Sequence, residues 1–130
     1  MTEIGAPKGM QEPEDKKHGF AHLIAAGGYS AAGLRRALQE SAFRHEILFF
    51  AAALALFVWV GATLAEFLGL TVIFLIMFGF EALNTAIEEL VDRVSPEVSR
   101  TGKHAKDLGS FAVFCTLVAA VLYVAYVSIL

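Results

Sequence analysis

The chain has 130 residues, of which 57% are hydrophobic and 18% charged, and its formal net charge is −3. This length suits a single domain, and the charged residues are missing from long stretches of it. We therefore expect an all-α integral membrane protein with no nucleic-acid partner. The alternative, a soluble bundle of three wholly apolar helices, is disfavoured because helices of soluble proteins normally keep one polar face.

The amino-terminal part divides into a tail and a surface helix. Residues 1–18 are polar and carry Pro and Gly, which predicts a disordered tail ahead of a membrane domain at 19–130. Gly27-Gly28 predicts a turn, and Ser30 is a candidate cap for an amphipathic helix at about 29–45. Such a helix would lie on the membrane with its basic residues toward anionic head groups.

Three apolar segments predict three membrane spans, at about 47–65, 67–93 and 108–130. The first holds 19 residues without a charge and the last holds 23, enough to cross a hydrocarbon core of about 30 Å. The middle charge-free run has only 14 residues, Phe67–Phe80, which is too short. The second span must therefore continue into the acidic segment that follows, which brings Glu81 to the membrane boundary.

The positions of the basic residues predict the orientation. All ten Lys and Arg residues lie either before the first span or between the second and third. Three crossings would place all of them on one side, which the positive-inside rule assigns to the cytoplasm. We therefore expect a multi-pass protein with its amino terminus in the cytoplasm and its carboxyl terminus outside.

A polar stripe follows the apolar run of the second span, in the segment FGFEALNTAIEELVDR. On an α-helix, Glu81, Asn84, Glu88 and Asp92 share a face about 80° wide. Carboxylates at such depth are costly and usually serve ion or substrate chemistry. The stripe is equally suited to a divalent cation, which prefers oxygen ligands, and to a proton relay. Glu89 is interpreted as part of the solvated helix end.

A basic segment follows the stripe. Ser95-Pro96 predicts the end of the second helix, and a loop with Lys103, His104, Lys106 and Asp107 then leads back to the membrane. Carboxylates for Mg²⁺ and a lysine for phosphate oxygens are the groups that phosphoryl transfer requires. The alternative for these lysines is a purely topological role. The chain has no Walker-type phosphate-binding motif, so a nucleotide site would be of another kind.

Two quoted segments carry a family resemblance. EALNTAIEELVDRVSPE with AKDLGSFAV, and GYSAAGLRRALQESAFRHE before them, resemble the bacterial integral-membrane diacylglycerol kinases, which are related to undecaprenol kinases. The resemblance implies an ATP-dependent lipid kinase that converts diacylglycerol to phosphatidic acid at the cytoplasmic face of the bacterial inner membrane. It also implies a homotrimer with active sites shared between subunits. Undecaprenol is the alternative substrate.

The resemblance implies a role for each matching residue. Glu81 matches the catalytic base, while Glu40 and Glu88 match the carboxylates that hold the metal of the bound nucleotide. The remaining nucleotide contacts and supporting polar positions are Tyr29, Lys106, Asp107, Asn84 and Asp92. His22 and Lys103-His104 depart from the family pattern, which often has Arg at the first position and Gly-Arg at the second. We expect these departures to affect nucleotide affinity.

Two other classes of function are weighed against a kinase. A proton or cation pathway would need polar groups at both depths of the membrane, whereas the outer half of the second span, FLGLTVIFLIMF, has none that ionise. A structural adaptor would need neither Glu81 nor Asn84. The sequence therefore favours a lipid kinase.

Overall fold

The computed structural model describes residues 19–130, and the predicted tail at 1–18 lies outside them. These residues are 88% helical and contain no strand. The four helices are α1 (Phe20–Ala37), α2 (Ser41–Val60), α3 (Leu64–Val94) and α4 (Arg100–Ile129). The last three are long and apolar enough to cross a membrane, so the predicted fold class is confirmed.

The amino-terminal helix begins earlier than the predicted surface helix. The described residues divide into two units, at Ala32 and Gly33, and α1 runs through both glycines at which a turn was predicted. Ser30 consequently lies inside α1 and caps nothing. Glycine lowers helix stability by about 1 kcal/mol relative to alanine but does not end a helix by itself.

The surface helix was predicted to continue to residue 45, but α1 ends at Ala37 and α2 begins at Ser41. The guanidinium of Arg44 donates to the carbonyl oxygens of Leu38 and Gln39 at 3.0 and 2.8 Å, which supplies partners to carbonyls near the end of α1. Glu40 has an extended backbone and occupies the cap position of α2. The first spanning helix therefore starts at Ser41, several residues before the charge-free stretch.

Local signals set both ends of the short connection between α2 and α3. Gly61 has φ +74°, and the Ala62 N–H donates to the Phe57 carbonyl at 2.9 Å, as in a Schellman motif. Thr63 then forms a capping box with Glu66, whose carboxylate accepts from the Thr63 N–H at 2.6 Å. These residues turn the chain back across the bundle.

The connection between α3 and α4 is shorter than predicted. α3 ends at Val94 with Ser95 as its cap, which agrees with the prediction from Ser95-Pro96. The Ser99 side chain accepts from the Gly102 N–H at 3.0 Å, so α4 begins at Arg100. The basic segment predicted as a loop therefore forms the first two turns of α4, because a serine cap starts this helix before its apolar stretch.

The core of the bundle lies where α3 packs against both α2 and α4. Phe57, Leu70, Phe74 and Met77 are completely buried there. The Phe74 ring lies 5.0 Å from that of Phe49 and 4.8 Å from that of Phe50, measured between centroids. This packing fixes the rotation of α3 and thereby the direction in which its polar stripe points.

Candidate active site

The predicted carboxylates meet in a cavity of about 290 Å³, here called the acidic cavity. Three helices contribute to it, because its lining residues come from the start of α2, from α3 and from α4. They are Glu40, Ser41, Ala42, Glu81, Asn84, Thr85, Glu88, Ser110 and Val113. The structure thus brings together four residues predicted for the site: Glu40, Glu81, Asn84 and Glu88.

The polar stripe of α3 is buried at its apolar end. Glu81 is 6% exposed and Asn84 is 9% exposed. The Asn84 amide nitrogen donates to Glu88 Oε1 at 3.1 Å, so the asparagine positions the carboxylate one turn further along. Asn84 Oδ1 is buried without a hydrogen-bond partner, and an unpaired buried acceptor of this kind calls for a ligand, a metal or water.

A close contact between helices holds Asn84 in place. A side chain added at Gly109 of α4 would meet Asn84, with Cγ 3.3 Å from the new Cβ and Oδ1 closer still. Glycine therefore allows α4 to approach α3 at this level. The approach leaves room for the Asn84 side chain beside Glu88.

Asp92 belongs to a second cavity, of about 260 Å³, at the junction of α3 and α4. This junction cavity is lined by Val91, Asp92, Ser95, Pro96, Glu97, Val98, Ser99, Gly102, Lys103, Lys106 and Asp107. Lys106 Nζ lies 2.5 Å from Asp92 Oδ1, and Lys103 Nζ lies 2.6 Å from Asp107 Oδ2. The cavity therefore presents two ammonium groups, each held by a carboxylate.

Glu97 contributes a further negative charge to the junction cavity. The hydroxyl of Ser95 donates to its Oε1 at 2.8 Å. Hydrogen bonds from its own backbone N–H and from Ser95 lower the pKa of Glu97, so its carboxylate stays ionised around neutral pH.

Tyr29 lies in the unit that ends at Ala32 and is 79% exposed. Within this unit it lines a surface cavity with His22, Ala25 and Ala26. The two positions discussed for nucleotide contact, His22 and Tyr29, thus share one face of α1. The contact of Tyr29 with a nucleotide stays a prediction, as does an effect of His22 on nucleotide affinity.

Glu46 was not predicted as part of a site. It is 9% exposed, its Oε2 is buried without a partner, and it shares a cavity of about 400 Å³ with Glu81. The other lining residues are Ala42, His45, Phe49, Val113 and Leu117. In a helix that begins at Ser41, the spacing of Ala42, His45, Glu46 and Phe49 places these residues on one face. That spacing is the signal in the sequence for an inward-facing carboxylate at Glu46.

Arg36 was not predicted as part of a site either. Its guanidinium pairs with Glu40 and with Glu89, the residue interpreted as part of a solvated helix end. Hydrogen bonds to these two carboxylates raise the pKa of Arg36 above its ordinary value, so the group remains a cation. No signal along the chain pairs residues 36 and 89, since the contact joins two helices.

The donor set at the acidic cavity fits a magnesium ion that arrives with a nucleotide. Among residues 19–130, no group of three acidic, histidine or cysteine side chains is placed to hold a metal alone. Mg²⁺ is commonly bound by one or two carboxylates together with substrate phosphates. Glu40 and Glu88 supply two carboxylates beside the unpaired Asn84 Oδ1, which matches this mode.

Comparison with known proteins decides the family. The family described as prokaryotic diacylglycerol kinase matches residues 28–128. The chain belongs to the prokaryotic diacylglycerol kinase family. Relatives named diacylglycerol kinase include one from Sinorhizobium, 54% identical over 93% of this chain and 88% of its own length. Another is from Escherichia coli K12, 38% identical over 80% of this chain and 86% of the relative.

Family membership confirms the resemblance and the predicted enzyme class. The protein is a lipid kinase that transfers phosphate to an alcohol, and a kinase implies a nucleotide co-substrate. The findings support the main prediction over the undecaprenol alternative. The three apolar helices make it a membrane protein.

Proposed function

We propose that this lipid kinase transfers the γ-phosphoryl group of ATP, bound as its Mg²⁺ complex, to the primary hydroxyl of diacylglycerol. The products are phosphatidic acid and ADP. The observation that carries the proposal is the acidic cavity, in which the buried Glu81 lies beside two metal-competent carboxylates, Glu40 and Glu88. The names of the relatives supply the lipid class.

Glu81 is the proposed catalytic base. Its carboxylate takes the proton of the lipid hydroxyl while the hydroxyl oxygen forms a bond to the γ-phosphorus. The bond from that phosphorus to the β,γ-bridging oxygen breaks, and its electron pair leaves with ADP. Glu81 also lines the cavity that contains Phe49, Val113 and Leu117, and this apolar wall suits the acyl part of a lipid.

Glu40 and Glu88 are the proposed metal ligands, and Asn84 fixes Glu88 through the hydrogen bond from its amide. When bound, Mg²⁺ would neutralise negative charge on the phosphates and align them for transfer. The protein's own contribution here is to hold carboxylate oxygens at a fixed place, which is the main task in phosphoryl transfer.

The junction cavity is the proposed site for the rest of the nucleotide. Lys106 would contact phosphate oxygens, and Asp92 would orient its ammonium group. Asp107, the next residue of α4, would also contact the nucleotide. We propose that Tyr29 contacts the nucleotide from α1. A Lys106→Gln variant should then raise the KM for ATP more than it lowers kcat.

We further propose a homotrimer in the bacterial inner membrane with active sites shared between subunits. The amino terminus would be cytoplasmic and the carboxyl terminus outside, which the one-sided placement of Lys and Arg supports. Native mass spectrometry in detergent tests the trimer. Labelling of single cysteines at positions 104 and 130 with an impermeant maleimide, in a Cys115→Ser background, tests the orientation.

The decisive experiment measures transfer of labelled phosphate from ATP to lipid in mixed micelles with Mg²⁺. Wild type should phosphorylate diacylglycerol, and Glu81→Gln should lower kcat by roughly 10²- to 10⁴-fold, as expected for loss of a general base. Glu66→Gln is the matched control, because it makes the same chemical change at the opposite end of α3 and should keep activity within about threefold, since a helix cap contributes to stability and not to the chemistry.

Three outcomes would contradict parts of the proposal. Folded wild-type protein that transfers no phosphate would exclude the kinase function. Faster transfer to undecaprenol than to diacylglycerol would change the substrate. A Glu81→Gln variant with kcat within tenfold of wild type would remove Glu81 from the role of base.

A further inference from the structure

The guanidinium of Arg36 connects three segments of the chain. Its Nε donates to Glu89 Oε1 at 2.6 Å, and its Nη2 pairs with the same oxygen. Its Nη1 lies 2.7 Å from Glu40 Oε1. The end of α1 is thereby tied to α3 and to the residue that precedes α2.

Glu40 depends on Arg36 for its orientation. It precedes the first residue of α2, and its side chain makes no capping hydrogen bond. The ion pair with Arg36 holds its Oε1. A glutamate held through one oxygen is oriented to offer the other to a ligand in the acidic cavity that it lines.

Glu89 neutralises the positive charge of Arg36 near the proposed metal position. A lone guanidinium beside a metal ligand would repel the cation and weaken its binding. Because Glu89 pairs with two nitrogens of the same guanidinium, Arg36 and Glu89 together carry no net charge. Arg36 can then orient Glu40 without adding a positive field at the metal position.

We propose that Arg36, anchored and neutralised by Glu89, is a positioning residue that presents Glu40 to the metal of the bound nucleotide. This rests on the proposed role of Glu40 as a metal ligand. Partners of this kind, which contact a ligand and not the metal, commonly change metal affinity by 10- to 100-fold when they are removed. By contrast, partly exposed ion pairs usually contribute little to folding stability. The Arg36 and Glu89 side chains are about half exposed. Removing their charges should therefore lower metal affinity but change folding stability little.

The test measures Mn²⁺ affinity by electron paramagnetic resonance, using the full chain in detergent with a non-hydrolysable ATP analogue. Arg36→Gln should weaken Mn²⁺ binding about tenfold and leave the melting temperature nearly unchanged. Glu89→Gln should weaken binding by a smaller factor. Combining the two should add nothing to the effect of Arg36→Gln, because Glu89 acts through Arg36.

Two further variants make the result specific. Arg35→Gln is the control: Arg35 is the exposed neighbour in the last turn of α1, and no salt bridge involves it among the described residues. It should leave Mn²⁺ affinity unchanged. Arg36→Lys should recover only part of the affinity, since an ammonium group lacks the planar fork that contacts two carboxylates together.

Opposite results would overturn the positioning role. Unchanged or tighter Mn²⁺ binding in Arg36→Gln would show that the guanidinium does not orient a metal ligand. Unchanged binding in Glu40→Gln would remove the residue through which Arg36 acts and would overturn the proposal as well. If wild type transfers no phosphate but Arg36→Gln still loses Mn²⁺ affinity, the positioning role stands and the kinase proposal fails.

Discussion

The two ends of the bundle treat polar groups in opposite ways. At the end near the α2–α3 turn, the Thr63 and Glu66 groups pair in a capping box and the Tyr123 hydroxyl donates to the Glu66 carbonyl at 3.1 Å. At the other end, Glu46 and Asn84 each bury an oxygen without a partner. Such departures from full hydrogen bonding are expected where a protein binds ligands. Polar groups are thus paired at one end, whereas buried unpaired oxygens lie at the other end, beside the acidic cavity.

The largest effect on stability is expected from a substitution in the hydrophobic core. Phe74→Ala removes a completely buried ring that packs against three other phenylalanines, and it should lower the free energy of unfolding by about 3 kcal/mol or more. Leu75→Ala, at an exposed neighbouring position, is the control and should change it little. Unfolding in detergent measures both, and the kcat of the folded Phe74→Ala fraction should remain near wild type. Loss of chemistry without loss of stability would break the division between the two ends.

A smaller loss of stability, this time with a loss of activity, is expected from Gly109→Ala. The new methyl group would push Asn84 away from Glu88, which should cost about 1–2 kcal/mol for overpacking. It should also lower phosphate transfer by roughly tenfold or more, since misplaced catalytic groups lose rate steeply. Gly79→Ala is the matched control on α3, where a Cβ meets nothing within 4 Å, and it should be neutral or slightly stabilising. Equal activity in the two variants would show that Asn84 has room to move.

The smallest effect is expected from Tyr123→Phe. This change removes one hydroxyl and its hydrogen bond to the Glu66 carbonyl, so stability should fall by about 1 kcal/mol. Activity per folded molecule should be unchanged, because Tyr123 lines neither the acidic cavity nor the junction cavity. Tyr126→Phe, at a more exposed tyrosine, serves as the reference. A fall in kcat for Tyr123→Phe but not for Tyr126→Phe would show that contacts at this end of the bundle affect the candidate site at the other end.

Several features of the fold follow from short stretches of sequence. Charge-free segments predicted three spans, and Ser95-Pro96 predicted the end of α3. The start of α4 was harder to predict, because hydropathy marks where a helix becomes apolar and not where a cap begins it. Ser99 supplies that cap, which places Lys106 and Asp107 on a helix.

The sequence by itself determined the membrane class, the family and the stripe from Glu81 to Asp92, because each depends on spacing along one segment. Only the tertiary structure decided that Glu46 shares a cavity with Glu81 and that Arg36 joins Glu40 to Glu89. It also separated Asp92 from the acidic cavity and placed it with Lys106. The physical reason is that helical periodicity fixes which residues share a face, whereas the packing of Phe57, Leu70 and Phe74 fixes what that face meets.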